Sequence, residues 1–337
     1  MDSPVKLFGY GDASPDWRWI VPFWNDVDIT WRYFSTQRGK WLSRLPGPHW
    51  GRIRAAVHLN LVSRITPPAV LTSIGPANSF YVEAIVQRGK ARIPHLAWAF
   101  NFTDLPKGRQ REAMIRALQP VERFVVFSQM ERQLYADYFD LPIERFHFLH
   151  WGVASPLSIP EPRSIAGPYV AALGGEARDY ATLMAAARQR PDTRFVVIAR
   201  PHNLVGIDVP GNVEVRTNLP WDQAWSLVAH ADLALIPLLT GETPNGHVTL
   251  VGGMHLGKAQ IVTDSRGVHD YAQHEENALL VPPRDPGALA RAIERLQDDP
   301  VLRAKLGENA AAFAREHCSE AMTARSARRH VEALLAG

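Results

Sequence analysis

The chain has 337 residues, with 37 lysines and arginines against 34 aspartates and glutamates, and a formal net charge of +3. Its single cysteine, Cys318, excludes an internal disulfide and a cysteine-built zinc site. No apolar run approaches the roughly 20 residues that span a bilayer, and the apolar share of 46% is that of a globular protein long enough for two cores.

The start, MDSPVKLFGYG, lacks the charged and apolar regions of a signal peptide, so a cytoplasmic location is expected. The charge is uneven. Residues 1–155 hold 19 Lys/Arg against 13 Asp/Glu, and the remainder holds 18 against 21. Eight of the ten tryptophans also precede residue 156, so the two halves offer different surfaces.

In chain order, the first half offers candidate strands at Lys6–Tyr10, Ile29–Ser35, Ala69–Ile74, His95–Phe100 and Phe124–Ser128. Helical spacing fits Gly51–Arg64, Asn78–Arg88, Arg109–Leu118 and Met130–Phe139. Residues 154–164 carry three prolines and read as a linker.

The second half is clearer. Tyr169–Leu173 is a strand running into Gly174-Gly175. Asp179 opens a helix whose Tyr180, Leu183, Met184 and Ala187 share a face, and Pro191 closes it. Strands follow at Arg194–Ala199 and Val213–Val215, then a helix from Trp221 with Trp221, Ala224, Trp225 and Val228 on one face. Further strands are Leu233–Leu238, Gln260–Thr263 and Leu279–Val281, after which Asp285-Pro286 caps another helix.

This alternation predicts an α/β protein of two Rossmann-like, doubly wound parallel-sheet domains facing a cleft. The expected divisions are 1–155, 156–318 and a C-terminal helix over 319–337 that crosses back to the first domain. Ligands of such sheets sit beyond the C-terminal ends of the strands.

Several pieces resemble one family. They are Phe124–Ser128 with Glu131, Leu141–Arg145 leading to Trp151-Gly-Val153, and Gly174-Gly175 with Arg178-Asp179-Tyr180. Gly246–Leu250, Gly253-Met254, Gly257-Lys258, Gln260–Thr263, Leu279–Pro282 and Asp285 complete the order. Together they resemble the nucleotide-sugar-dependent glycosyltransferases of the GT-B type, in the bacterial polysaccharide-assembly branch, over about residues 120–318.

The resemblance implies a nucleotide-diphosphate-sugar donor and a glycan or lipid-linked acceptor. It makes Arg178 the basic diphosphate contact, at a glycine turn before a helix N-terminus that favours anions. Arg200 follows the next strand and could meet the second phosphate, or lie in a solvated loop. The loop Arg216–Leu219 would lay backbone groups along the nucleobase near Asn218. Glu242 falls where the family's first site glutamate contacts the sugar. Its second glutamate, on the ribose, falls on Gly252, which has no side chain.

Thr243, Asn245, Gly246, His247 and Thr249 would surround the sugar and phosphates, with His247 donating a hydrogen bond. Gly9-Tyr-Gly11 resembles a glycine loop after the first strand, which places Gly11 near the donor. On the acceptor side, Asp104 is the candidate general base, or else the cap of the helix after Pro106, with Asn101 beside it. His95, at the other end of its strand, is expected to be packed or solvated. No metal or other cofactor is expected, since Arg178 and helix N-termini can hold a diphosphate.

From Ile29 to Val82 there is no acidic residue, while basic residues alternate with aromatics. Residues 31–64 therefore suit an anionic membrane surface; a basic domain with core tryptophans is the alternative. No nucleic-acid module accompanies the stretch. Two other activities fit the fold: a nucleotide-sugar epimerase, and a non-catalytic partner that kept the architecture.

Overall fold

The computed structural model describes residues 4–12, 23–24, 29–37, 50–89, 91–152, 164–239 and 243–336. The chain divides into two compact units, Met1–Leu149 with Ala321–Gly337, and His150–Glu320.

The first unit holds β1 (Val5–Gly11), β2 (Ile29–Ser35), α1 (Trp50–Ile65), β3 (Val70–Ile74), α2 (Pro76–Tyr81), β4 (His95–Trp98), α3 (Gly108–Leu118), β5 (Arg123–Val126), α4 (Gln129–Phe139) and β6 (Phe146–Phe148). Its sheet has the order β2-β1-β3-β4-β5-β6, and every pairing is parallel. The strands β1, β3 and β4 are buried along most of their length, polar Thr72, Ser73 and His95 included, whereas edge strand β2 alternates.

The second unit holds β7 (Val170–Leu173), α5 (Tyr180–Gln189), β8 (Phe195–Ala199), β9 (Val213–Thr217), α6 (Trp221–Ala229), β10 (Leu233–Ile236), α7 (His247–His255), β11 (Gln260–Thr263), β12 (Leu279–Val281), α8 (Pro286–Asp298) and α9 (Pro300–His317). Its parallel sheet runs β12-β11-β10-β7-β8-β9. The chain builds outward from β7 to β9, then crosses to β10 on the other flank of β7. That reversal between β7 and β10 is the switch point at which such sheets open a crevice for ligands. The last helix, α10 (Glu320–Ala336), packs in the first unit, where the Trp24 indole N–H donates to the Ala324 carbonyl at 2.9 Å.

Two parallel sheets with covering helices are the expected fold class. Local differences have physical causes. The helix expected over Asn78–Arg88 begins at Pro76 and loosens into a π-helical turn at Val82–Val86. That turn carries Glu83, which meets His95 Nδ1 at 2.7 Å, while His95 Nε2 lies 2.8 Å from the Ser73 hydroxyl. His95 is thus packed, with no exposed surface. Gly9 and Gly11 lie inside β1, not in a loop after it. A Cβ on Gly9 would come 2.8 Å from the Tyr33 ring, and one on Gly11 3.0 Å from the Tyr33 hydroxyl. These glycines make room for a side chain of β2, and Gly11 is the last residue of the strand rather than part of a loop after it.

Buried Glu131 accepts hydrogen bonds from the Phe127 N–H (2.8 Å), the Ser128 hydroxyl (3.2 Å) and the Tyr135 hydroxyl (3.0 Å). Burial nonetheless outweighs these donors and pushes its carboxyl from 4.5 up to about 7. Between those values the folded chain binds more protons than the unfolded one. Stability should therefore fall as pH rises from 4.5 to about 7, and level off above. Urea midpoints measured across that window should show the decline, and Glu131→Gln should flatten it.

Candidate donor site

In the second unit the loops after β7, β8 and β10 converge around two arginines. Gly174 and Gly175 end β7, and the room they leave is taken by side chains of this chain. A Cβ on Gly174 would lie 2.2 Å from Arg178 Nε, and one on Gly175 2.9 Å from Arg200 Nε. The Arg178 side chain lies back over the loop and is half-buried. Its Nη1 donates to the Glu176 carbonyl at 2.8 Å and its Nη2 to Thr249 Oγ1 at 2.9 Å. Its Nε is buried without an acceptor.

No carboxylate among the described residues pairs with Arg178. Asp179 caps α5, accepting from the Thr182 N–H and hydroxyl at 3.0 and 2.7 Å. The Glu176 carboxylate takes Arg200 at 2.8 Å, in a largely exposed pair of the kind that contributes little. Desolvation accordingly lowers the Arg178 pKa. A guanidinium removed from water without a counter-charge is costly on its own, and an anion would relieve it.

Thr249 belongs to the first turn of α7, so Arg178 and this helix start act together. Gly246 is the N-cap, with φ +96°, and a Cβ there would come 2.9 Å from Leu238 Cδ2. The left-handed backbone and the tight contact both call for glycine. The first helical bond runs from the Leu250 N–H to the Gly246 carbonyl at 3.0 Å, so the preceding N–H groups have no acceptor within the helix. Such a helix start attracts negative charge.

His247 is buried, donating from Nε2 to the Gly267 carbonyl at 2.8 Å, with its ring 4.8 Å from Tyr271. Burial lowers its pKa and keeps the ring neutral. With its N–H spent on Gly267, its other nitrogen can accept from a hydroxyl but cannot donate to a phosphate. Thr243 is buried, and Asn245 Nδ2 closes the turn onto the Thr243 carbonyl at 3.1 Å. Asn218 is exposed after β9 with φ 55°, a left-handed position that asparagine tolerates. Glu242 lies outside the described residues.

Gly252 has its side-chain space filled from a neighbouring helix. A Cβ on Gly252 would fall 2.1 Å from Trp225 Cη2 and 2.6 Å from its Cζ2. The space beside α7 there belongs to an indole of α6.

In the first unit, Asn101 and Asp104 are exposed in the segment after β4. The N-cap of α3 is Lys107, without a side-chain cap, so Asp104 does not serve as the helix cap. Among the described residues no group of three or more His, Cys, Asp or Glu could hold a metal ion.

Sequence reasoning misses Trp221. Its helical spacing assigns it to the core face, yet it is 61% exposed at the first position of α6, with its ring 5.5 Å from that of Trp225. The signal is its place directly behind the loop that ends β9, where a first-turn residue need not face the sheet.

Comparison with known proteins adds three findings. Residues 177–299 match the family model described as Glycosyl transferases group 1. No curated protein matches the sequence significantly. Solved structures match along nearly the whole chain. Sucrose-phosphate synthase from Thermosynechococcus elongatus is 14% identical with a TM-score of 0.74, covering 98% of this chain and 100% of that one. Anabaena HepE in complex with UDP is 14% identical with a TM-score of 0.69, covering 97% and 99%. WaaG, a glycosyltransferase involved in lipopolysaccharide biosynthesis, is 13% identical with a TM-score of 0.66, covering 99% and 100%.

Proposed function

We propose, from the premise that this chain has the GT-B fold and carries a glycosyl transferases group 1 domain over residues 177–299, that it moves a sugar from a nucleotide-diphosphate donor to a hydroxyl of a glycan or lipid-linked acceptor. The observation that carries this reading is the Arg178 guanidinium, desolvated, without a carboxylate among the described residues, and bonded to the first turn of α7.

In this reading Arg178 and the N–H groups opening α7 hold the diphosphate, and they stabilise negative charge as the bond to the sugar breaks. They supply that charge without a metal. His247 accepts from a sugar hydroxyl, and Glu242 contacts the same sugar. Thr243 and Asn245 shape the turn beneath it. Arg200 exchanges its surface partner Glu176 for the outer phosphate. The nucleobase lies along the loop at Asn218, with the exposed face of Trp221 to stack on. Asp104 takes the proton from the acceptor hydroxyl, and Asn101 orients that hydroxyl. The chain works on the cytoplasmic side, and the basic, aromatic stretch 31–64 favours an anionic membrane surface.

Thermal-shift measurements with UDP-, GDP- and dTDP-sugars test the donor. One of them should raise the melting temperature, and Trp221→Ala should weaken that nucleotide by about tenfold while leaving inorganic pyrophosphate unaffected, as loss of one base–aromatic stack requires. If no nucleoside diphosphate stabilises the protein, the transferase reading fails. If the nucleotide binds Trp221→Ala and the parent equally, only the base platform is wrong. Asp104→Asn should abolish transfer and spare donor binding.

A further inference from the structure

The first unit contains a basic site of its own. A pocket of about 480 Å³ lies between edge strand β2 and helix α1, lined by Arg32, Tyr33, Phe34, Ser35, Arg54, Ala55 and His58. Its volume is that of a small-ligand site. No acidic residue lines it, and none occurs anywhere from Ile29 to Val82.

The cationic groups are held in place by the fold. The Arg32 guanidinium sits 5.3 Å from the centroid of the Phe34 ring, and the His58 ring meets the same phenyl edge-on at 5.2 Å. Phe34 is itself buried against Ala55 and Leu59 of α1, so the platform under Arg32 is rigid. Arg54 donates one N–H to the Gln37 carbonyl at 3.2 Å, which orients its fork and leaves its other donors available. The Ser35 oxygen accepts from the Gln37 N–H at 3.3 Å, so its own proton is available for donation. Neither Arg32 nor Arg54 has a carboxylate partner among the described residues.

We infer that this pocket binds a phosphate-bearing group, with Arg32 and Arg54 as its charged ligands and Ser35 and His58 beside them. Two guanidinium forks in one concavity suit a group with several acceptor oxygens and nearly two negative charges. A phosphate monoester or diphosphate has both at neutral pH, and a carboxylate has neither. Phe34 and Ala55 supply an apolar wall for whatever carries the phosphate. That carrier is a soluble phosphorylated molecule or the headgroup of an anionic lipid, and the same arginines serve both. The site does not depend on the transferase reading.

The test uses the full chain carrying Arg178→Ala, so that pyrophosphate binding at the donor loop is weakened in parent and variants alike. Inorganic pyrophosphate is titrated by calorimetry, and vesicles of phosphatidylcholine with and without phosphatidylglycerol are tested by co-sedimentation. The variants are Arg32→Ala, Arg54→Ala and, as a control of equal charge change, exposed Arg116→Ala on α3. Pyrophosphate binding weakened about tenfold or more by each pocket variant but not by Arg116→Ala establishes the pocket with a soluble ligand. Pyrophosphate indifferent, but anionic-vesicle binding lost in the pocket variants alone, establishes it with a headgroup. Absence of both kinds of binding, or equal losses in Arg116→Ala, overturns the inference. Thermal melts of each variant confirm that exposed Arg32 and Arg54 are dispensable for folding.

Discussion

Arg178→Ala is expected to weaken binding of a nucleotide-diphosphate sugar by about ten- to a hundredfold, the worth of a charge-assisted fork lost from a desolvated site. The melting temperature of the unliganded protein should not fall. The two effects separate a ligand-binding arginine from a structural one. An arginine that holds the fold together gives up stability when truncated. Arg178 instead carries an uncompensated charge, with its Nε buried and unpartnered and its pKa lowered by desolvation. Removing such a charge relieves a penalty, even though the bonds to Thr249 and the Glu176 carbonyl go with it. Arg178→Lys keeps the charge but not the fork and should fall between. Calorimetric titration with the preferred nucleotide, alongside thermal melts, reads both quantities. A melting temperature that drops sharply with nucleotide affinity unchanged would make Arg178 a structural residue and remove the main support for the donor site.

Gly252→Glu, which puts a carboxylate where the resemblance expects a second glutamate, should destabilise the protein by about 3 kcal/mol or more and give no gain in activity. The first added atom already fails to fit, because Cβ lands 2.1 Å from Trp225 Cη2. Trp225 has little room to withdraw, being buried in a cluster with Ile165, Tyr169, Val196, Ile198 and Val228. Trp225→Ala alone should cost about 3–5 kcal/mol, as deletion of a buried aromatic does. Combined, the two changes should cost clearly less than their sum, since the smaller partner makes room for the larger one. Denaturant midpoints of the two single variants and the double variant measure this coupling. Gly252→Glu as stable as the parent would show that α7 and α6 do not interlock here. The same contact explains why α7 tolerates adjacent glycines despite their helix penalty. A Cβ on Gly253 would in turn strike Gln260 Oε1 at 2.4 Å. At Gly252 the packing of two helices leaves no room for a side chain.

Much of the fold is legible in short stretches. The strands Ile29–Ser35, Gln260–Thr263 and Leu279–Val281 have the same bounds in sequence and structure, and Asp285 with Pro286 is the N-cap and first position of α8. The bounds of strand β6, implied only by the resemblance, and helix α9 escape the sequence reading. Phe146–Phe148 is three residues long, too short to show a period. The Asp299-Pro300 cap of α9 repeats the Asp285-Pro286 pattern and is there to be read. Of the candidate site, the family resemblance singles out Gly174-Gly175, Arg178 and the start of α7, and the structure brings Arg178 onto the first turn of α7. Gly11 instead closes β1; a glycine pair after a strand and one within a strand look alike in sequence.

Local pattern carries the alternation of strands and helices, their caps, the acid-free basic stretch from Ile29 to Val82, and the family resemblance of residues 120–318. These depend on backbone propensity and hydrophobic period, which act between residues a few positions apart. It takes the folded arrangement to turn Arg178 back onto Thr249, to fill the space at Gly252 with Trp225, to face Trp221 to solvent, and to line one pocket with Arg32 and Arg54. Each depends on how elements far apart in the chain come together. Such meetings follow from the order in which strands pair across a sheet, and no local pattern encodes that order.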